Sequence, residues 1–300
     1  MTPNPGLRRQ AKAALSRVPP LIALVRRIRG PAVQRIPIDY RVDPEPRYGH
    51  GKPPHALLQQ IIERERGAYR DTLRSFLRFE QQLVAIPRTV DTTSTAPFWD
   101  NGWFQGIDIV ALYSLVALRQ PPLYFEIGSG QSTRVVRRAI TDQRLSTRIV
   151  SLDPEPRSEI DALCDERVRS RLEDCDLDLF RRLAAGDVLF FDGSHRCFQN
   201  SDVTVFFLEV LPLLPSGVLV HIHDIWLPFD YAPEFSNRYY SEQYLLAVYL
   251  LARRAESLRI VLPNAFVSED AELRQVLSHL WDRPELAGVV PHGVSFWFET

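Results

Sequence analysis

Residues 123–133, Leu-Tyr-Phe-Glu-Ile-Gly-Ser-Gly-Gln-Ser-Thr, constrain this chain more than any other stretch. An apolar run ends in an acid, a Gly-Ser-Gly turn follows, and Ser132 or Thr133 can cap the helical pattern that begins near Arg134. The segment predicts a strand, a tight turn and a helix. Gly128 and Gly130 permit positive φ and leave no Cβ in the way, so a ligand can lie against the turn at the helix N-terminus. This is the form of a nucleotide-type cofactor site.

Three readings compete for the turn. A dinucleotide fingerprint is G-x-G-x-x-G, and Thr133 stands where its third glycine belongs. Glu126, two residues before the first glycine, makes an E-x-G-x-G pattern instead. The third reading is a plain strand-to-helix turn of an α/β domain.

The residues downstream decide among them. Residues 147–152 form a second strand that ends in Asp153, 23 residues past Gly130, where a carboxylate can accept hydrogen bonds from ribose hydroxyls. A short third strand is expected over 167–171, followed by Leu-Glu-Asp174-Cys-Asp, then a helix over 177–183. Asp174 is either an adenine partner or an acidic cap for that helix. Residues 186–195 give a strand with Asp192 and His195 at its carboxyl end. A helix over 201–213 leads to residues 218–224, a strand ending in His221-Ile-His223-Asp224. Open parallel sheets bind ligands outside the carboxyl ends of their strands. Glu126, Asp153, Asp192 with His195, and His223 with Asp224 therefore converge there from four strands.

These motifs, Phe-Glu-Ile-Gly-Ser-Gly-Gln-Ser-Thr, Ser-Leu-Asp-Pro, Phe-Phe-Asp-Gly-Ser-His and Leu-Pro-Ser-Gly-Val-Leu-Val-His-Ile-His-Asp-Ile, in this order, resemble the bacterial class I S-adenosylmethionine (SAM) dependent methyltransferases of the type-24 branch. The resemblance covers roughly residues 100–300. It implies an α/β fold: a Rossmann-like, seven-stranded, mostly parallel sheet with helices on both faces, ending in an antiparallel hairpin from residues 258–262 and 293–299. It places Gly128, Ser129, Gly130 and Ser132 along the methionine part of SAM, with Glu126 near its amino group. It gives the ribose to Asp153 and adds Asp174 and Asp192 to the cofactor set. Members are common in natural-product and surface-polysaccharide settings, so the implied acceptor is a small molecule or glycan.

Methyl transfer from a sulfonium is an in-line displacement, which needs alignment of the acceptor and removal of its proton. His195, His223 and Asp192 are the candidate catalytic residues. Asp192, Asp224 and His223 could alternatively hold a divalent metal; with one imidazole in the set, zinc, iron or manganese suits it better than magnesium. His221 lies on the same strand face as His223, one position deeper, and reads as a hydrogen-bonded core histidine.

The rest of the chain divides into a basic arm and a Pro/Gly-rich linker over 1–54, a helical extension or lid over 55–119, and the SAM-binding domain over 120–300. The arm carries eight basic residues between Arg8 and Arg35 and no acid before Asp39. It reads as a solvated helix, with peripheral membrane contact as the other reading. Apolar residues at helical spacing over 55–86 predict one or two helices that break at Gly67 and cover the core or pair subunits of a homo-oligomer. The aromatic stretch 97–108 is either a lid or a hydrophobic latch. The long loop 226–240 suggests a substrate wall, with Tyr231, Arg238 and Tyr239 facing the acceptor. A net charge of −1 gives no nucleic-acid signal. Three cysteines without C-x-x-C spacing and no apolar run of roughly 20 residues favour the cytoplasm. The rival functions are an NAD(P)-dependent oxidoreductase and a non-catalytic scaffold of the same fold.

Overall fold

The computed structural model describes residues 38–91, 93–156, 159–253 and 258–300, so the basic arm through residue 37 lies outside the described residues. Pro44–Thr300 form one unit. Its helical layer opens with α1 (Ala56–Glu63), α2 (Arg66–Phe76), α3 (Glu80–Val84) and α4 (Ile107–Arg119). The sheet and its crossovers follow as β1 (Leu123–Ile127), α5 (Gln131–Gln143), β2 (Arg148–Leu152), β3 (Glu166–Val168), β4 (Val188–Phe191), α6 (Asp202–Val205) and β5 (Leu219–Ile222). The chain closes with α7 (Glu242–Arg253), β6 (Arg259–Pro263), α8 (Asn264–Glu269), α9 (Ala271–Val276), α10 (Ser278–Trp281) and β7 (Phe296–Glu299).

The seven strands order as β3-β2-β1-β4-β5-β7-β6, with β7 antiparallel to both of its neighbours. β1, β4 and β5 are apolar almost throughout because helices cover both faces of a parallel sheet. From β1 the chain winds outward through β2 and β3, then returns to place β4 on the other side of β1. That reversal opens a crevice between the carboxyl ends of β1 and β4.

Register brings the strand ends to one level. Ile127 pairs with Leu152 and Phe191, and Phe191 with Ile222. The ladder runs one residue further: Gly128 N donates to Leu152 O, Asp192 N to Ile127 O, and His223 N to Phe191 O. Gly128, Asp153, Asp192 and His223 thus form one rung at the crevice.

The helical layer shares the hydrophobic core of the sheet, from Leu58 and Tyr69 to Phe125 and Phe190. α4 is buried on every side over residues 107–117 and packs along α5. Arg66 ties α2 to α9 through Asp270 at 2.8 Å and Glu272 at 2.9 Å. The break between α1 and α2 falls at Arg64–Glu65, and Gly67 lies within α2, since glycine lowers helix stability without forbidding helix. The third strand occupies Glu166–Val168, earlier and shorter than the expected 167–171. Over 177–182 the chain forms a 3₁₀ helix. The helix expected over 201–213 changes hydrogen-bond register, from α over Asp202–Val205 to π over Phe206–Val210 and 3₁₀ over Leu211–Leu213. Among the described residues no helix is long and apolar enough to cross a membrane.

Candidate active site

The glycine turn is built as its sequence requires. Gly128 has φ +80°, and a Cβ there would stand 2.0 Å from the carbonyl oxygen of Asp192, so only glycine lets β1 and β4 close at this rung. Ser129 donates to Asp153 Oδ2 through its amide at 2.9 Å and its hydroxyl at 3.1 Å, while Glu155 N holds Oδ1 at 2.7 Å. Asp153 is therefore fixed beside the turn at the start of α5.

Glu126 lies beneath the turn with no exposed surface, accepting from Thr133 Oγ1 at 2.6 Å and from Ser132 Oγ at 3.4 Å. Thr133 Oγ1 also accepts from Gly130 N at 3.1 Å. The acid thus braces the turn through the first residues of α5. Burial pushes its pKa from 4.5 to about 8, against the pull of the two hydroxyls. Because the folded state holds the proton up to about 8 and the unfolded state releases it near 4.5, this group's contribution to stability is full below 4.5. It is lost as pH rises through 8. Glu126→Gln should flatten that dependence, measured as the urea midpoint of both proteins across the interval. An unchanged slope would contradict the assignment.

Across the crevice, β4 and β5 deliver acids and imidazoles. His195 and Asp224 both have left-handed backbones, with φ of 61° and 56°, a conformation uncommon outside glycine that Asp and His adopt more readily than most residues. His195 Nε2 lies 3.4 Å from both Asp192 Oδ1 and Asp224 Oδ2. His223 Nδ1 lies 3.8 Å from Asp192 Oδ1 and from Asp224 Oδ1. The ligand atoms of Asp192, His223 and Asp224 all fall within 4.8 Å of one another. His223 is buried, and among the described residues neither ring nitrogen closes a hydrogen bond of good geometry. Burial disfavours its charge, but Asp224, Asp108 and Asp192 outweigh that and hold its pKa well above 6.5.

Two further acids complete the cluster. Asp108, in the first turn of α4, is buried and lies 3.4 Å from His223 Nε2. It accepts from Asn264 Nδ2 at 2.7 Å and from the amides of Val294 and Ser295, each at 2.9 Å. Burial raises its pKa, yet His223 and these donors hold it below its usual range. Glu242, at the start of α7, meets His195 Nδ1 at 2.5 Å. Burial pushes Glu242 up to about 7. It also opposes charge on His195, yet Glu242, Asp192 and Asp224 lift that ring to about 9.

Residues 125–225 match the family described as a methyltransferase domain. Over this third of its length the chain is similar to a methyltransferase domain. Its sheet order, with the antiparallel β7 between β5 and β6, agrees with the fold expected of that family. Solved structures similar to it include an SAH-bound methyltransferase, PaMTH1, of Podospora anserina, at 15% identity and TM-score 0.34 over 51% of this chain and 71% of that one. An O-methyltransferase of Bacillus cereus in complex with SAH aligns at 14% identity and TM-score 0.37, over 77% and 90%. The plantazolicin methyltransferase BpumL in complex with SAH aligns at 13% and 0.43, over 82% and 99%. A search of curated protein sequences gives no match.

The fold brings Gly128, Ser129, Asp153, Asp192, His195, His223 and Asp224 to the strand ends, with Glu126 and Ser132 beneath the turn. Asp174 is half exposed and pairs with Arg171 at 2.5 Å, and the cap of the following 3₁₀ helix is Asp176. His221 is the expected core histidine: its Nε2 meets Ser295 Oγ at 2.7 Å, its ring stacks on Trp297 at 3.7 Å, and burial keeps its pKa well below 6.5. In the aromatic stretch, Trp99 and Phe104 are buried, and Phe104 lies 4.9 Å from the His223 ring, which makes the stretch a latch on the core. Trp103 is exposed. In the loop over 226–240, Tyr231 is buried and accepts from Gln243 N, whereas Arg238 and Tyr239 are exposed. Asp230 of that loop takes the amides of Arg47 and Tyr48, at 2.5 and 3.1 Å, so the expected linker is pinned across it. Tyr240 lies 4.4 Å from the His195 ring, with the Arg196 guanidinium 5.1 Å above it.

Sequence reasoning missed Asp108 and Glu242. A lone acid within the otherwise apolar run Ile-Asp-Ile-Val-Ala-Leu was the available signal for the first. Glu242 carried none, because an acid at a helix start is ordinary.

Proposed function

We propose that the chain is a SAM-dependent methyltransferase acting on an oxygen of a small molecule or glycan, with His195 as general base. The observation that carries this reading is the single rung on which the glycine turn, Asp153 and the His–Asp cluster stand across one crevice. The turn fits the cofactor. Apart from its chain neighbours, no atom of the described residues lies within 4 Å of where a Gly130 Cβ would be, leaving open space at the N-terminus of α5, and Asp153 stands at the edge where a ribose would be held.

SAM supplies an electrophilic methyl on a sulfonium. The chain must then align a hydroxyl and take its proton. With SAM bound, His195 would hold the acceptor hydroxyl at Nε2 and, once Asp192 and Asp224 no longer keep a proton on the ring, would take the hydroxyl proton there and return it to solvent. Tyr240 and the Arg196 and Arg238 side chains form one wall beside His195.

Asp192, His223 and Asp224 fit a divalent cation by donor chemistry: two carboxylates and a buried imidazole nitrogen with no hydrogen bond. The imidazole favours manganese, iron or zinc over magnesium. A cation there would neutralise acids that otherwise keep the proton on His195, and would lower the pKa of a bound hydroxyl.

The test is transfer of label from methyl-tritiated SAM into the small molecules and glycans of a cell extract, in chelator and then with manganese, zinc or magnesium. Label in an alkali-stable ether is expected. Label confined to nitrogen, carbon or protein would contradict the acceptor assignment.

A further inference from the structure

The N-terminus of α7 is shaped around His195. Ser241 N donates to the His195 carbonyl at 2.7 Å, and the Glu242 amide reaches the same oxygen at 3.3 Å. The Glu242 carboxylate has no exposed surface and meets Nδ1 at 2.5 Å, while its second oxygen has no hydrogen-bond partner among the described residues. Tyr240 lies against the ring. Nε2 is left as the ring atom between Asp192 and Asp224. A buried carboxylate with one satisfied oxygen is costly to fold around, and an apolar residue would fill the space at lower cost. Among the described residues its hydrogen-bond partner is the imidazole that faces the crevice.

We infer that Glu242 is a positioning residue: it accepts the Nδ1 proton of His195 and so fixes the imidazole with Nε2 presented to the acceptor. The role rests on the methyltransferase reading for its purpose, but not for its detection. A base whose second nitrogen is held by a carboxylate follows the orienting logic of catalytic triads. Glu242 itself touches neither cofactor nor acceptor.

The full chain labelled with ¹⁵N-histidine provides the test, by proton-detected NMR of the imidazole N–H groups. The wild type should show a far-downfield Nδ1–H resonance that is missing from His195→Asn. In Glu242→Gln that resonance should move upfield or vanish, while SAM affinity stays within about twofold and methyl transfer falls about tenfold or more. Glu242→Asp, which keeps the charge and shortens the reach, should shift the resonance if the Gln variant fails to fold. A wild type without the resonance, or a resonance unmoved in both variants, would overturn the inference. Loss of SAM binding in step with loss of transfer would also overturn it, by making Glu242 structural. A wild type that shows the resonance but binds no SAM would instead overturn the cofactor reading and leave the His195–Glu242 contact established.

Discussion

His195→Ala is expected to lower methyl transfer by about 10²–10⁴-fold, the usual worth of a positioned general base, while SAM binds as before. The two effects separate because Nε2 faces Asp192 and Asp224 rather than the glycine turn, where Asp153 and Ser129 stand. Single-turnover rates with the cofactor saturating read the first effect, and calorimetry reads the second. A variant with unchanged rate would remove His195 from the chemistry. One that lost cofactor and rate together would make it a wall of the SAM site.

Asp108→Ala is expected to reduce folding stability by about 3–5 kcal/mol, because it removes one partner of a buried charged pair. The side chain joins four elements. It starts on α4, takes the Asn264 amide of α8, accepts the Val294 and Ser295 amides that lead into β7, and faces His223 at the end of β5. Without it three amides and an imidazole would lose this partner. Asp108→Asn keeps an acceptor of the same shape and should lose markedly less. Urea unfolding of both variants measures the difference; equal losses would show that the neutral acceptor rescues nothing and that the negative charge carries the whole contribution.

The two experiments also separate what the sequence displays from what only folding brings together. Strand ends were legible, because an apolar run followed by Asp153, Asp192 or His223-Asp224 is a local pattern whose period and termination are written in consecutive residues. The glycine turn was legible for the same reason. Asp108 and Glu242 were not: each is separated by many residues from the histidine it serves, and the register between α4, α7 and the sheet exists only in three dimensions. The helix over 202–213 hid its change of hydrogen-bond register because apolar periodicity is nearly the same for adjacent α and π turns. Asp174 shows the reverse limit. Its position in the order of motifs suggested a ligand contact and gave no sign of the surface pair that it makes with Arg171. The aromatic residues of 97–108 gave no sign of which would turn inward; Trp99 and Phe104 do, and Trp103 does not.

Cofactor identity is the claim on which the account stands, and calorimetric titration of the purified chain with SAM, S-adenosylhomocysteine and NAD tests it most directly. Saturable binding of the first two and none of the third is expected. Asp153→Ala should weaken SAM by about 1.5–3 kcal/mol, the worth of hydrogen bonds to a charged group. Binding of NAD alone, or SAM affinity indifferent to Asp153, would contradict it.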